Sequence, residues 1–380
     1  MSNSLGHSHV EIAGLGLAGL SAACAFAKAG WSVRIHERAE EVRLSGAGIY
    51  VAENGARVLD ALGASEEAFR GAYQIHHRDS RDSANRTLAI DDYPREKPFR
   101  AYFLRRETLV YSLLNVAKEL GVEVRLGSHV LGATPDGALH LVGGETLAAD
   151  VIVGADGINS QVRKSIGVET LRTELLQGAH RAVCRRPQDA HIVQPHTFIE
   201  WWAGARRFFY APVSTDLAYL VMTAQLNDEA GSRNPFDKQD WCRTFPFTAE
   251  IIANIEETVP FMPFVEIRCK SWIAGRVALV GDAAHAMSPN LGQGGGTAMM
   301  DGISLAHNVV NSGLPVEAAL CRWQERQRPI VDRAQCISGL YSKLASWPDT
   351  PRKMALWCAS KSGWITRQRL ATANFLPDGV

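Results

Sequence analysis

The sequence predicts an α/β fold: a discontinuous Rossmann-like domain, a β-sheet domain inserted between its pieces, and C-terminal helices. Three observations predict it. Val10-Glu11-Ile12-Ala13-Gly14-Leu15-Gly16-Leu17-Ala18-Gly19-Leu20 sets a glycine turn between an apolar run and an alanine-rich one. Two more glycine-acid signatures, Gly154-Ala155-Asp156-Gly157 and Gly281-Asp282-Ala283-Ala284-His285, each follow a further apolar run. Between them lie short aromatic runs of strand character. At 380 residues the chain exceeds the size that one core usually serves, so two intimately connected domains are expected.

The first signature uses its glycines for separate reasons: a tight turn at Gly14, close approach of backbone to a pyrophosphate at Gly16, and close helix–strand packing at Gly19. An alanine-rich helix from Ser21 to Ala29 would then aim unpaired N–H groups and its dipole at phosphate oxygens. A second strand, Ser32 to His36, ends at Glu37, roughly 20 residues beyond the glycines, where an acid accepts from ribose hydroxyls. This unit alone serves NAD and FAD equally.

The later signatures separate the two. A buried strand, Asp150 to Val153, runs into the turn at Gly154, with Asn159, Ser160 and Arg163 on a helix beyond it. A second, Gly275 to Val280, ends on Asp282, which can accept from a ribityl hydroxyl at the carboxyl edge of a sheet. Then Pro289-Asn290-Leu291-Gly292-Gln293-Gly294-Gly295-Gly296 forms a loop whose backbone can lie against a flat ring before a helix near Thr297. Its amides would favour negative charge on a reduced isoalloxazine. Three signatures in this order point to a flavoprotein.

With these residues the chain resembles the single-component FAD-dependent aromatic-ring hydroxylases, the p-hydroxybenzoate hydroxylase group, from about Val10 to about Ser346. The resemblance implies that Gly14, Gly16, Leu17, Ala18, Gly19, Glu37, Arg38 and Val130 hold the adenosine and pyrophosphate half of FAD. It implies that Arg106 neutralises the pyrophosphate, that Arg43 and Gly48 contact the cofactor, and that Asp156 with Gly157 assists FAD and NAD(P)H binding. Asp282 would hold the ribityl chain, and Gly292, Gly294 and Gly295 the ring. Within the group, Gly46 to Tyr50, Val280 to Met287 and the Arg207-to-Tyr219 spacing are similar to the ring-opening branch acting on 2-methyl-3-hydroxypyridine-5-carboxylic acid. That likeness makes Arg207, Tyr219 and Tyr50 candidates for holding a carboxylated ring, beside Pro289 of the flavin loop; Arg78 stands where that branch has another tyrosine.

The implied activity is NAD(P)H- and O2-dependent hydroxylation, with or without ring opening, of a small hydroxylated aromatic or pyridine carboxylate through a C4a-hydroperoxyflavin. Three alternatives stay open: a salicylate-hydroxylase-like monooxygenase of a benzenoid acid, a flavin oxidoreductase without oxygen insertion, and a catalytically quiet flavin-binding protein. Single residues also have structural readings. Arg207 can pair with Glu200 on a neighbouring strand, Tyr219 and Tyr50 can be ordinary buried aromatics, and His285 a structural histidine. His76 and His77 read as solvated loop residues, and Trp201-Trp202 as core.

Composition agrees. Forty basic and forty acidic residues leave no net charge, against a general nucleic-acid or membrane-surface binder. Seven cysteines without a CxxC pair suggest neither a zinc site nor a disulfide framework, so no metal is expected and a reducing cytoplasm fits. No apolar run approaches a membrane span, and residues 1–9 lack a signal core. The FAD-binding domain is expected to comprise 1–73, 98–175 and 268–312, the substrate domain 74–97 and 176–267, and a helical region 313–380. Within the last, Val316 to Leu344 reads as a helix interrupted by Pro329. Oligomeric state is open.

Overall fold

The computed structural model describes residues 8–42, 47–93, 99–187, 195–256 and 259–380. Six strands form a first sheet in the order Ile273–Ala274, Val277–Leu279, Val151–Gly154, His9–Ala13, Ser32–His36 and Glu123–Arg125. All pairings from Val277–Leu279 onward are parallel. Parallel strands are covered on both faces and read as continuous apolar runs. Accordingly Val10, Ile12, Val151, Ile152, Val153, Val277 and Leu279 have no solvent exposure.

The register places Ala13 beside Gly154 and Gly154 beside Leu279. The three glycine signatures therefore leave one carboxyl edge side by side, where open α/β sheets bind ligands. Behind that edge the helix Leu17–Lys28 packs on the helix Gly294–Asn311. They approach closely at Gly302, where a Cβ would fall 2.5 Å from the Ala22 amide nitrogen.

A seven-stranded sheet runs Met262–Cys269, Glu169–Arg185, Leu217–Gln225, Arg206–Pro212, Thr197–Ala203, His77–Asp82 and Thr87–Asp92. Side chains alternate across it with period two. Its rear face buries Ile199, Trp201, Phe208, Leu220 and Met222 against Trp241, Phe245 and Ile251. Its front face carries Phe198, Glu200, Arg207, Phe209, Tyr219, Val221 and Thr223 toward the first sheet's carboxyl edge. Trp201 and Trp202 therefore part company. Trp202 lies on the front, with the guanidinium carbons of Arg207 and Arg352 5.1 and 5.6 Å from its ring centre.

Two expectations are corrected. The helix Val316–Ala345 continues through Pro329. Ala319, Leu320 and Trp323 are buried before it and Val331, Ala334 and Gln335 after it, and this packing outweighs the roughly 3 kcal/mol a helical proline costs. His77 opens a strand rather than lying in a loop, its Nδ1 2.6 Å from Asp92.

The first strand carries one buried acid. Glu11 receives His36 at 2.7 Å, Arg34 at 2.7 Å and His9 at 2.8 Å. Burial works to raise its pKa, but the two histidine hydrogen bonds and the Arg34 charge outweigh it and hold the carboxyl at about 2, below its ordinary 4.5. A depressed carboxyl stabilises the fold fully above its unfolded pKa, and the contribution disappears as pH falls through the folded one. Glu11→Gln is expected to lower stability by about 3 kcal/mol at neutral pH. Urea unfolding of both proteins from pH 7 downward checks it: the difference should shrink below pH 4.5 and vanish near 2.

Candidate active site

Between the first sheet's carboxyl edge and the front face of the second lies a cleft of about 550 Å³. Gly16, Leu17, Ala18, Gly48, Arg106, Gly157, Asp282, Gly292, Gly294 and Gly295 line it from one side, and Tyr50, Arg207, Tyr219 and Pro289 also line it. Residues from distant parts of the chain thus meet in one space. Gly14, Gly19, Glu37, Arg38, Val130 and Asp156 stand outside its walls, and Arg43 falls outside the described residues.

The glycines of the first turn divide into two kinds. Gly14, at φ +107°, has no room for a side chain: a Cβ would stand 2.4 Å from the Ala155 carbonyl oxygen. At Gly19 a Cβ would meet the Gly14 oxygen at 2.1 Å. Gly16 is different, because nothing lies within 4 Å of the position its Cβ would take. The protein fills the space around Gly14 and Gly19 and leaves that over Gly16 open, the shape a pyrophosphate needs. Glu37 accepts the amides of Leu15 at 3.1 Å and Ala39 at 3.0 Å, which turns its carboxylate back toward the glycine loop. Its carbonyl receives the Ser128 amide, bringing the strand that starts at Val130 beside it; Arg38 is exposed.

The middle turn is tied to the helix that follows it. Asp156 accepts Ser160 Oγ at 2.5 Å and the amides of Gln161 at 2.6 Å and Val162 at 3.2 Å at the start of the helix Gln161–Ser165, while Gly157 beside it lines the cleft. Arg163, fully buried, donates to Glu169, the Ile158 carbonyl and the Ala283 carbonyl, stapling the middle signature to the third.

Asp301 locks the third signature. Its Oδ2 accepts the Gly281 amide at 2.8 Å and lies 2.6 Å from His285 Nε2, while Oδ1 accepts Gln327 at 2.9 Å. Burial works against a charged His285, yet the Asp301 charge and hydrogen bond prevail and raise its pKa. His285 lies outside the cleft and packs on Trp272, the structural arrangement. Arg163 follows the middle signature in sequence, but its reach to Ala283 is not legible there; Asp301 is marked only as a charge inside an apolar run.

The flavin-loop segment is pinned from below. Asn290 donates to Ser342 Oγ at 2.7 Å and Ser288 Oγ at 3.1 Å, and its Oδ1 accepts Arg207 Nη2 at 2.5 Å. At Gly292, φ +64°, a Cβ would meet Tyr50 at 2.9 Å. The helix Gly294–Asn311 then starts at the cleft, with open space over Gly294.

Arg207 takes the pairing that cross-strand neighbours allow: Nη1 lies 3.1 Å from Glu200, whose other oxygen receives Arg78 at 2.7 Å. Arg78 also approaches Asp91 at 3.7 Å and the Tyr341 ring. Two guanidiniums and two carboxylates close this end of the cleft without net charge. Burial pulls the Arg207 pKa down, with Glu200 opposing. Tyr219 lies against Gly48, where a Cβ would penetrate its ring to 2.4 Å, and burial raises its pKa while Arg181 and Arg106 counter. Among the described residues no cluster of His, Cys, Asp or Glu could hold a metal, and no helix is long and apolar enough to cross a membrane.

Comparison with known proteins agrees with this geometry. Residues 7–334 match the family described as FAD binding domain. A 2-heptyl-3-hydroxy-4(1H)-quinolone synthase of Mycobacteroides abscessus is 37% identical over 360 residues, 93% of this chain and 95% of that one. The tetrameric form of 2-methyl-3-hydroxypyridine-5-carboxylic acid oxygenase superposes with a TM-score of 0.87 at 35% identity, covering 97% of this chain and 96% of that one. The 6-hydroxynicotinate 3-monooxygenase of Bordetella bronchiseptica is 27% identical, covering 85% and 88% of the two chains. With a glycine turn left open for pyrophosphate and matches along almost its whole length, the chain belongs to the FAD-binding-domain family and is an FAD-dependent monooxygenase of aromatic substrates.

Proposed function

We propose that this enzyme inserts one oxygen atom at carbon 3 of a 2-alkyl-4(1H)-quinolone, consuming NAD(P)H and O2. The observation carrying the reading is the neutral end of the cleft: Arg207 already faces Glu200 and Asn290, so a substrate carboxylate would have to displace a buried ion pair. The cleft floor, Phe198, Phe209, Val221 and Phe103, is apolar and suits a flat neutral ring with an aliphatic tail. The relatives named for a 3-hydroxylated quinolone support the same choice. In such a ring the nitrogen lone pair is delocalised toward carbon 3, which makes that carbon the nucleophile.

Bound FAD supplies acceptance of hydride from NAD(P)H and activation of O2 as an electrophile. The residues present fit it. Gly14, Gly16, Leu17, Ala18 and Gly19 would cradle the pyrophosphate with Arg106 as counter-charge; Glu37 would face the adenosine ribose, and Asp282 the ribityl hydroxyls. The amides from Gly292 to Gly295 and the helix terminus at Gly294 would hold negative charge at the ring. Tyr50 and Pro289 would close the flavin side, and Tyr219 would donate to a ring oxygen. Apolar walls keep the meeting point dry. Segments 1–73, 98–175 and 268–312 would carry the cofactor, 74–97 and 176–267 the substrate, and 313–380 the helical support.

A second reading, oxygenation of a hydroxypyridine carboxylate, is supported by the 0.87 TM-score with the pyridine oxygenase. It requires Arg207 to exchange Glu200 for the substrate. The test is NADH and NADPH oxidation by the FAD-loaded enzyme with 2-heptyl-4(1H)-quinolone or 2-methyl-3-hydroxypyridine-5-carboxylate. Stimulation by the quinolone, with its 3-hydroxylated product found by mass spectrometry, is expected; stimulation by the carboxylate alone would replace the first reading by the second.

A further inference from the structure

The front face of the substrate sheet holds a cationic residue that the motifs do not explain. Cross-strand register sets Arg181 beside Val221, Val221 beside Phe209, and Phe209 beside Glu200. Three strand spacings of about 4.8 Å put roughly 14 Å of backbone between the two ends of that row. At one end Arg78 and Arg207 are compensated by Glu200 and Asp91. At the other Arg181 also lines the cleft, and it has no carboxylate partner among the described residues. Its guanidinium is half-buried and lies 5.7 Å from the Phe264 ring centre, along the cleft wall. An unpaired cation on a partly apolar wall is a desolvation cost that an anionic oxygen in the cleft would offset. Arg106, the other cleft arginine without a carboxylate partner among the described residues, would serve the cofactor pyrophosphate, and the charges of both arginines act on the buried Tyr219 hydroxyl.

We propose that Arg181, and not Arg207, is the substrate-binding cation of this cleft, meeting the ring oxygen of the substrate beside the carbon that is oxygenated. For a quinolone this is the 4-oxo group, onto which the ring nitrogen delocalises negative charge, and for a hydroxypyridine the 3-oxygen, which carries it when ionised; a cation there binds and orients the ring before oxygen transfer. The inference rests on reading the cleft as a site for an oxygen-bearing N-heteroaromatic ring. It does not depend on which of the two rings is correct.

The test uses FAD-loaded wild type, Arg181→Gln and Arg181→Lys. Flavin absorbance titrations give affinities for 2-heptyl-4(1H)-quinolone, 2-methyl-3-hydroxypyridine-5-carboxylate and 2-heptylquinoline, which keeps tail and ring but lacks the oxygen. Arg181→Gln is expected to weaken whichever oxygenated ring wild type binds by about tenfold. Arg181→Lys should recover most of it, with 2-heptylquinoline and the KM for NADH moving less than about twofold. Equal weakening of all three ligands would make Arg181 merely structural and overturn the inference, as would a raised KM for NADH at unchanged ligand affinity. If wild type answers to the carboxylate and not the quinolone, the proposed function fails while a selective Arg181 effect on the carboxylate sustains this inference. Failure of every ligand to perturb the wild-type flavin would remove both.

Discussion

Replacing Asp301 by alanine is expected to cost about 3–5 kcal/mol of stability and to weaken FAD retention. Asp301 has no solvent exposure and satisfies three groups at once, the Gly281 amide, His285 and Gln327. Its removal takes away the charge and hydrogen bond that raise the His285 pKa, leaving burial to disfavour the charged imidazole, and frees the turn that presents Asp282 to the cleft. The histidine adds a pH signature. A group whose folded pKa is raised contributes stability fully below its unfolded value and loses it as pH rises through the folded one. The cost of Asp301→Ala should therefore be greatest in mild acid and decline as pH rises through the raised value. Asp301→Asn, which keeps an oxygen for the Gly281 amide but removes the charge, should fall between. Denaturant unfolding across pH 5.5 to 9, with released FAD measured by fluorescence, checks this; a cost under about 1 kcal/mol for the alanine variant would show that the lock is not needed.

Gly16→Val should separate folding from cofactor binding. The backbone there is at φ −82° and ψ −177°, open to any residue, and nothing in the protein lies within 4 Å of a Cβ. The variant is expected to fold with a melting temperature near that of wild-type apoprotein. Its side chain, however, would occupy the space over the glycine loop, and FAD affinity should fall roughly a hundredfold or more, about 3 kcal/mol. Gly14→Val provides the contrast: its Cβ would strike the Ala155 carbonyl, so it should damage the fold itself. Calorimetry of both apoproteins and titration with FAD distinguish the two outcomes. Full FAD affinity in a folded Gly16→Val protein would place the pyrophosphate elsewhere.

These contrasts show where the sequence was readable. Gly14 and Gly16 belong to a short turn whose backbone demands are local, and the apolar strands before each signature determine that Ala13, Gly154 and Leu279 end together. Chemistry that depends on partners far along the chain was harder to read. The motif that proposes Asp156 for the cofactor does not reveal that Ser160 and the Gln161 amide also hold its carboxylate. Arg163 and Ala283 are 120 positions apart, and no motif links them. For Arg207 the sequence leaves substrate binding and cross-strand pairing open, and the register that sets Glu200 opposite Phe209, two residues along on the same face, supplies the ion pair. Arg181 lies in a strand whose alternation gives its face but not its lack of a carboxylate partner. Pro329 failed as a helix stop because burial on both sides, invisible in local propensity, holds the helix together.

Incubation of the FAD-loaded enzyme with NADH, isotopically labelled O2 and 2-heptyl-4(1H)-quinolone tests the central claim most directly. One labelled oxygen atom per product molecule, carried on carbon 3, is the result this structure predicts. NADH consumption that ends only in hydrogen peroxide, or a product whose new oxygen comes from water, would contradict it.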